Sequence, residues 1–194
     1  MNLIQSLALV LLCFFYAAYL IKMAGLRQRG ITGNLLGKGN KPTKEKIFET
    51  VLSAATLLGA VIQFASALYS HILPPLVVSN FVHMSGLVLM AAGIIFFVLA
   101  LAAMKLNWRA GYNDEQHTQL VTKGVYQISR NPAFVGFDLL YIGCAFALPN
   151  LLNFAATIFA VALFHVQILG EERYCERTFG QAYTNYQFRV KRYL

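Results

Sequence analysis

Long apolar runs alternate with short polar segments along the chain. The runs cover about residues 3–21, 47–72, 81–104, 133–148 and 151–169. A helix needs ~20 apolar residues to cross a bilayer, and only Pro149-Asn150 separates the last two runs, which predicts a tight antiparallel hairpin. The pattern therefore predicts an all-α integral membrane protein with five transmembrane helices in a single domain over residues 1–194.

Composition supports a membrane protein over a soluble one. The chain is 58% apolar and 12% charged, against ~45–50% and ~25% in soluble domains. The first run is interpreted as a retained helix and not a signal peptide, because it lacks a preceding basic segment and no small-residue cleavage site follows it. The three cysteines and four histidines lack the spacing of metal ligands, so no metal site is predicted.

The net charge of +8 has two explanations, nucleic acid or a membrane surface. All sixteen Lys and Arg residues fall in the segments 22–46, 105–132 and 170–194, and none falls in the turns 73–80 or 149–150. Basic residues on alternate loops are the signature of cytoplasmic loops. This predicts an outside N-terminus and a cytoplasmic C-terminus, and nucleic acid is not needed as a partner.

Two polar segments, 105–132 and 165–187, are expected to meet on the cytoplasmic side. In the first, Pro132 suits the first position of a helix and Asn131 its N-cap. With Arg130 beside them, the free N–H groups of that helix start form a candidate anion site. The alternative is that Asn131 only caps the helix and Arg130 reaches lipid headgroups.

The second polar segment contains candidate acidic groups. Gln167 and Glu171 are four residues apart and share a helix face, so Glu171 is expected to attract a cation or to pair with Arg130. For Glu172 and Glu176 the favoured interpretation is weak surface pairing around Arg173. Asp138 is interpreted as a structural residue of the bundle.

The C-terminal tail has an apolar face of its own. Phe179, Tyr183, Tyr186 and Val190 are spaced by four, three and four residues, which predicts one face of a helix. Such a helix would lie on the membrane surface or cap the bundle.

The segments 105–132 and 165–194 resemble the isoprenylcysteine carboxyl methyltransferase family and its wider group of small membrane methyltransferases. The resemblance covers a little under half of the chain, and its specificity lies in the order and spacing of the motifs. The motifs that carry it are Leu120-Val121-Thr122, Gly124-Val125-Tyr126, Arg130-Asn131-Pro132 with Phe134 and Gly136, Asn150, Glu171-Glu172, Phe179-Gly180, Tyr183, Tyr186 and Val190-Lys191-Arg192.

The resemblance implies S-adenosylmethionine as methyl donor, S-adenosylhomocysteine as product, and a catalytic part at 105–194 facing the cytoplasm. It implies catalytic roles for Arg130 and Glu171 and a substrate contact at Gln167, where eukaryotic prenylcysteine enzymes carry an Arg associated with the substrate carboxylate. Asn131 stands where those enzymes have His. The cofactor-binding residues that it implies are Gln116, His117, Gln119, Leu120, Val121, Gly124, Tyr126, Arg130, Asn131, Pro132, Ala133, Phe134 and Glu171.

The expected activity is esterification of the carboxylate of a prenylated cysteine, or of a similar lipophilic acceptor that enters from the bilayer. The membrane would be the cell membrane of a prokaryote or the endoplasmic reticulum of a eukaryote. Two alternatives stay open: a phospholipid amine or isoprenoid O-methyltransferase, and a non-catalytic scaffold or transporter. A transporter would place polar or broken positions deep in its spans, whereas here they cluster on one side.

Overall fold

The computed structural model describes residues 2–69, 72–113 and 118–194, and its regular structure there is helical apart from one isolated β-bridge. All five predicted apolar runs form helices, so the all-α prediction is confirmed. The helices are α1 (Leu3–Gln28), α2 (Thr43–Leu68), α3 (Asn80–Met104), α4 (Pro132–Ala147), α5 (Leu151–Phe179) and α6 (Gln181–Gln187), with 3-10 turns at Lys105–Asn107 and Gly124–Gln127.

In the described part of the chain, four helices are long and apolar enough to cross a membrane: α1, α2, α3 and α5. With 16 residues, α4 spans only about 24 Å at 1.5 Å per residue, less than the ~30 Å of a hydrocarbon core. A multi-pass helical protein is thus established, while the fifth crossing stays a prediction. The fifth run continues ten residues past its predicted end, because α5 carries its polar C-terminal turns without a break.

Glycines bring α3 and α4 into close contact. A Cβ atom placed on Gly93 would lie 2.7 Å from the Gly136 carbonyl oxygen, and one on Gly143 would lie 2.6 Å from the Met90 nitrogen. Gly86 faces Gly143 in the same way. Small residues at such an interface let two backbones approach, as the sequence predicted for α3, and the close pairing holds the short α4 against a long helix.

The two ends of the bundle differ in chemistry. At one end, Asn150 caps α5 by accepting from the Asn153 nitrogen (3.0 Å) and donates to the Ser66 hydroxyl (3.0 Å). At the other, the segment after α1 pairs with the segment after α3 through Leu35 N to Ala110 O (2.8 Å). The segments that hold all sixteen Lys and Arg residues gather at this second end, which we call the basic end.

A lysine of α1 caps α3 at the basic end. The Lys22 Nζ donates to the carbonyl oxygens of Leu101 (3.0 Å) and Lys105 (2.6 Å). The last carbonyl groups of a helix lack intrahelical hydrogen-bond donors and carry partial negative charge. A lysine ammonium at this position donates to these carbonyls and also compensates their charge. This contact ties the two helices together beside the loop that leads to the candidate site.

Candidate functional site

A cavity of about 600 Å³ lies at the basic end, between α1, α2, α4, α5, α6 and the segments 107–113 and 118–131. This volume is within the range of small-molecule sites. Most of its polar residues come from those segments and from α5 and α6, whereas α1, α2 and α4 contribute mainly aromatic and aliphatic side chains. The cavity is therefore amphipathic, with a polar wall at the basic end and an apolar wall inside the bundle.

Most of the site residues expected from the sequence meet in this cavity. Pro132 is buried at the first position of α4 and Gly124 starts a 3-10 turn with a φ of +66°; neither is among the lining residues. Gln116 and His117 lie outside the described residues. The expected residues that line the cavity are Gln119, Leu120, Val121, Tyr126, Arg130, Asn131, Ala133, Phe134, Gln167 and Glu171.

The polar wall is organised around a buried carboxylate, Glu172. The Arg130 guanidinium donates to both Glu172 oxygens, at 2.9 Å from Nε and 3.2 Å from Nη2, in a bidentate pair. Arg192 adds a second cation at 2.9 Å. Burial alone would lower the pKa of Arg130, but the bonded Glu172 carboxylate raises it above its ordinary value. We call Arg130, Asn131, Glu172 and Arg192 the Glu172 hub.

The expectation of surface pairing for Glu172 is wrong. Glu172 is only 4% exposed and pairs with Arg130, 42 residues away along the chain. The surface interpretation paired Glu172 with charged residues close to it on the same helix. In the structure, the turn of α5 that carries Glu172 faces the loop before α4 instead. The alternative pairing of Glu171 with Arg130 is not observed either, because Glu172 occupies that position.

Asn131 stands at the N-cap position of α4 but does not cap with its side chain. Its Nδ2 donates instead to Glu172 Oε1 (3.0 Å) and to the Arg192 carbonyl oxygen (3.2 Å). The remaining guanidinium nitrogen of Arg130, Nη1, donates to the carbonyl oxygens of Val190 (2.7 Å) and Gln187 (3.3 Å). Both side chains thus lie at the cavity while their donors join the loop to the C-terminal tail.

The tail caps the bundle, as one of the two sequence alternatives predicted. It is not one helix, because Gly180, with a φ of +50°, separates α5 from α6. Tyr183 and Tyr186 are buried and line the cavity. The Tyr186 hydroxyl donates to the Tyr126 carbonyl oxygen at 2.6 Å, and burial raises the pKa of Tyr186, so this hydroxyl stays protonated at neutral pH.

Glu171 faces the cavity beside Gln167. The Gln167 Nε2 donates to Glu171 Oε1 at 3.1 Å, which confirms that the two share a helix face. The same nitrogen lies 3.4 Å from Oε1 of Glu49 on α2. Glu171 is half-buried and lines the cavity, so its carboxylate is available to a positively charged ligand group.

Sequence reasoning missed the contribution of α1 and α2 to this cavity. Their lining residues include Tyr16, Tyr19, Leu20, Leu57 and Phe64. In a helix that is apolar on every side, the sequence does not show which apolar residues face a cavity and which face lipid. Leu20 and Leu57 are also strongly exposed on the outer surface, so the cavity reaches the outside of the bundle between α1 and α2.

Histidines and cysteines take no metal-like arrangement in the ranges that the structure describes, where no three His, Cys, Asp or Glu side chains come together. His165 Nδ1 lies 2.6 Å from the Tyr193 hydroxyl. Cys144 is packed in the core, and Cys175 lines the cavity with a free thiol.

The fold and the cavity define a multi-pass helical membrane protein with an amphipathic cavity at its basic end. The chain belongs to the phospholipid methyltransferase family, whose sequence profile matches residues 81–182, more than half of the chain. That region contains α3, α4, α5 and the beginning of α6.

Two curated proteins of Arabidopsis thaliana confirm the resemblance predicted from the motifs. The chain is 40% identical to protein-S-isoprenylcysteine O-methyltransferase B over 79 residues, 39% of this chain and 39% of that protein. It is 33% identical to protein-S-isoprenylcysteine O-methyltransferase A over 112 residues, 56% of this chain and 55% of that protein. The matches thus span about half, or less, of the length of these relatives.

Proposed function

We propose that this protein is an S-adenosylmethionine-dependent methyltransferase that esterifies the carboxylate of a prenylated cysteine or a similar lipid-linked acceptor. The observation that carries the proposal is the amphipathic cavity, in which an acidic and amide-rich wall meets an aromatic wall open to the outer surface. Membership of a methyltransferase family and similarity to two isoprenylcysteine methyltransferases support it.

The residues of the polar wall fit the chemical groups of this cofactor. S-adenosylmethionine supplies, when bound, a methyl group activated on a sulfonium. Glu171 would hold its ammonium, since this carboxylate faces the cavity and, among the described contacts, its side-chain partner is the neutral Gln167. Leu120, Val121 and Phe134 would enclose its adenosyl part and exclude water. Arg130 and Asn131, held by Glu172, would contact its polar groups from the adjoining wall.

The acceptor would approach through the apolar wall. A lipid substituent would enter between α1 and α2, where Leu20 and Leu57 lie both on the cavity and on the outer surface. Gln167 would then lie beside the acceptor's polar end. A carboxylic acid with a pKa of ~4 is ionised at neutral pH and needs no general base. The protein's task is to align the reactants, worth up to ~7–11 kcal/mol, and to exclude water.

A second candidate is methylation of a phospholipid amine, because the matching family is named for phospholipid methyltransferases. Isoprenoid O-methylation belongs to the same alternative. A transporter or scaffold is less well supported, since the Glu172 hub and the Gln167–Glu171 pair both lie at the basic end of the cavity.

Cofactor binding is the first test. Detergent-solubilised protein is expected to bind S-adenosylhomocysteine with micromolar affinity by calorimetry. Glu171→Gln should weaken this binding about tenfold or more, or ~1.4 kcal/mol, because it removes the charge that faces the ammonium. Glu176→Gln is the matched control, since Glu176 is exposed and bonds only Gln187 among the described contacts. Absence of binding by folded wild-type protein would refute the proposed function.

The product of the reaction distinguishes the acceptors. Incubation with labelled S-adenosylmethionine and a farnesylated cysteine analogue is expected to give a base-labile methyl ester. A base-stable product from a phosphatidylethanolamine or isoprenoid phenol, with none from the cysteine analogue, would reject the carboxylate in favour of the second candidate.

We further propose five membrane crossings, with the N-terminus outside and the basic end in the cytoplasm. The gathering of all sixteen cationic residues at one end supports this orientation, and close packing on α3 would let the short α4 cross in a shielded position. A protease added to sealed inside-out vesicles is expected to remove a C-terminal epitope tag and to spare an N-terminal one. The reverse pattern would contradict the orientation.

A further inference from the structure

An ion pair is buried outside the region matched by the family, beside the polar wall of the cavity. Lys41 precedes α2 and Glu49 lies in its second turn. Their side chains are 3% and 2% exposed, with 2.6 Å between Lys41 Nζ and Glu49 Oε2. Glu49 also accepts from the Gly37 nitrogen at 2.7 Å. Burying such a pair costs desolvation energy, so its presence is weak evidence that it stabilises the fold. Its contacts with the cavity point to a different role.

One amide connects this pair to the cavity. The Gln167 Nε2 lies 3.4 Å from Glu49 Oε1 and 3.1 Å from Glu171 Oε1. An amide nitrogen carries two hydrogens, so Gln167 donates one to each carboxylate. The compensated carboxylate of Glu49 thereby sets the orientation of the amide that contacts the cavity-facing carboxylate of Glu171.

The lysine also contacts an aromatic residue of the cavity. The Lys41 Nζ lies 4.4 Å from the ring centroid of Tyr112, a cation–π distance. Tyr112 stacks on Tyr174 with 4.9 Å between ring centroids, and both rings line the cavity. The Tyr112 hydroxyl donates to Glu45 at 2.7 Å. The pair therefore supports two parts of the wall, the rings and the Gln167–Glu171 pair.

We propose that Lys41 and Glu49 are positioning residues for the cofactor's ammonium. They hold the Gln167 amide, and through it aim the Glu171 carboxylate into the cavity. Because Lys41 cancels the charge of Glu49, the set of Lys41, Glu49, Gln167 and Glu171 carries one net negative charge when Glu171 is ionised, and that charge lies on Glu171. The inference rests on the proposed function, in which Glu171 binds that ammonium.

The test compares Lys41→Met, Glu49→Gln and the double variant. S-adenosylhomocysteine affinity is measured by calorimetry from mildly acidic to mildly alkaline pH, with the unfolding temperature in detergent beside it. Each single variant should bind about tenfold more weakly, because a charged hydrogen bond of the set is disturbed. The pH midpoint of binding should rise in Lys41→Met, which leaves a second negative charge near Glu171, and fall in Glu49→Gln, which leaves a positive one.

The double variant guards against single variants that fail to fold. Removing both charges leaves no uncompensated buried charge, unlike removal of one partner, so its unfolding temperature and pH midpoint should approach those of the wild type. Its affinity should stay several-fold weaker, since Gln167 no longer donates to a carboxylate on α2. Lys38→Met is the matched control, an exposed lysine in the same segment.

The outcomes separate this inference from the proposed function. Wild-type affinity and pH midpoint in the double variant and in any folded single variant, with only the unfolding temperature lowered, would show a purely structural pair and overturn the inference. Absence of binding by the wild type would overturn the proposed function and this inference with it. Opposite pH shifts in the two single variants would support positioning, because a loss of stability alone does not produce them.

Discussion

Glu172→Gln is expected to destabilise the protein by about 3–5 kcal/mol, the range for removing one partner of a buried ion pair. Glutamine cannot accept from Arg130 on both side-chain atoms, so the guanidinium would be left partly uncompensated at a site where its side chain is 10% exposed. The Arg130 contacts with Val190 and Gln187 hold the tail on the cavity. Loss of the hub should therefore also abolish S-adenosylhomocysteine binding.

A graded series checks this expectation by thermal unfolding in detergent and by calorimetry. Arg192→Gln should cost much less, about 1 kcal/mol or below, because Arg192 is 37% exposed and its pair is screened by water. Glu176→Gln, four residues from Glu172 on the same helix but exposed, should be neutral. Equal effects of Glu172→Gln and Glu176→Gln would contradict the role of the hub.

Gly143→Ala is expected to have the second largest effect. The added Cβ would lie 2.6 Å from the Met90 nitrogen and 2.7 Å from the Gly86 carbonyl oxygen, both backbone atoms that cannot rotate away. Overpacking of this kind typically costs ~1–3 kcal/mol, occasionally more. Separation of α4 from α3 would also displace Asn131 at the start of α4, so binding of S-adenosylhomocysteine should weaken along with a lower unfolding temperature.

Gly25→Ala provides the matched control, because Gly25 is a helical glycine with nothing within 4 Å of its added Cβ. There the better helix propensity of alanine, ~1 kcal/mol, should leave stability unchanged or higher. If both variants unfold at the same temperature as the wild type, the close approach of α3 and α4 is not a stabilising feature.

The apolar pattern predicted the helices well but not where the fifth one ends. The run stops near residue 169, whereas α5 continues to Phe179. Its last turns are polar because they face the cavity and the loop before α4, so the apolar period disappears while the helix continues. A different cause hid the break at Gly180: its positive φ is a backbone property, and the apolar spacing of the tail continues across it.

At the candidate site, the sequence predicted that the two polar segments meet, which the structure shows, but it paired one carboxylate wrongly. Arg130, Asn131, Gln167 and Glu171 were expected at the site, and the structure places all four on one cavity. Glu172 was assigned to the surface because its partners on the same helix are visible in sequence, whereas Arg130 is 42 residues away. Adjacent helix positions point about 100° apart, so only packing decides which carboxylate meets the arginine.

The sequence by itself determined a helical membrane protein with its cations gathered at one end. Bilayer thickness sets the length of each apolar run, and the charge of each loop follows its side of the membrane, so both can be recognised in short stretches of sequence. It also supplied the motifs of a methyltransferase family. Tertiary structure alone decided that Glu172 and not Glu171 pairs with Arg130, that α1 and α2 join α4 in the apolar wall, and that Lys41 and Glu49 meet Gln167. These contacts join segments far apart in the chain, and their energies depend on burial and on distances of a few ångströms that no local pattern encodes.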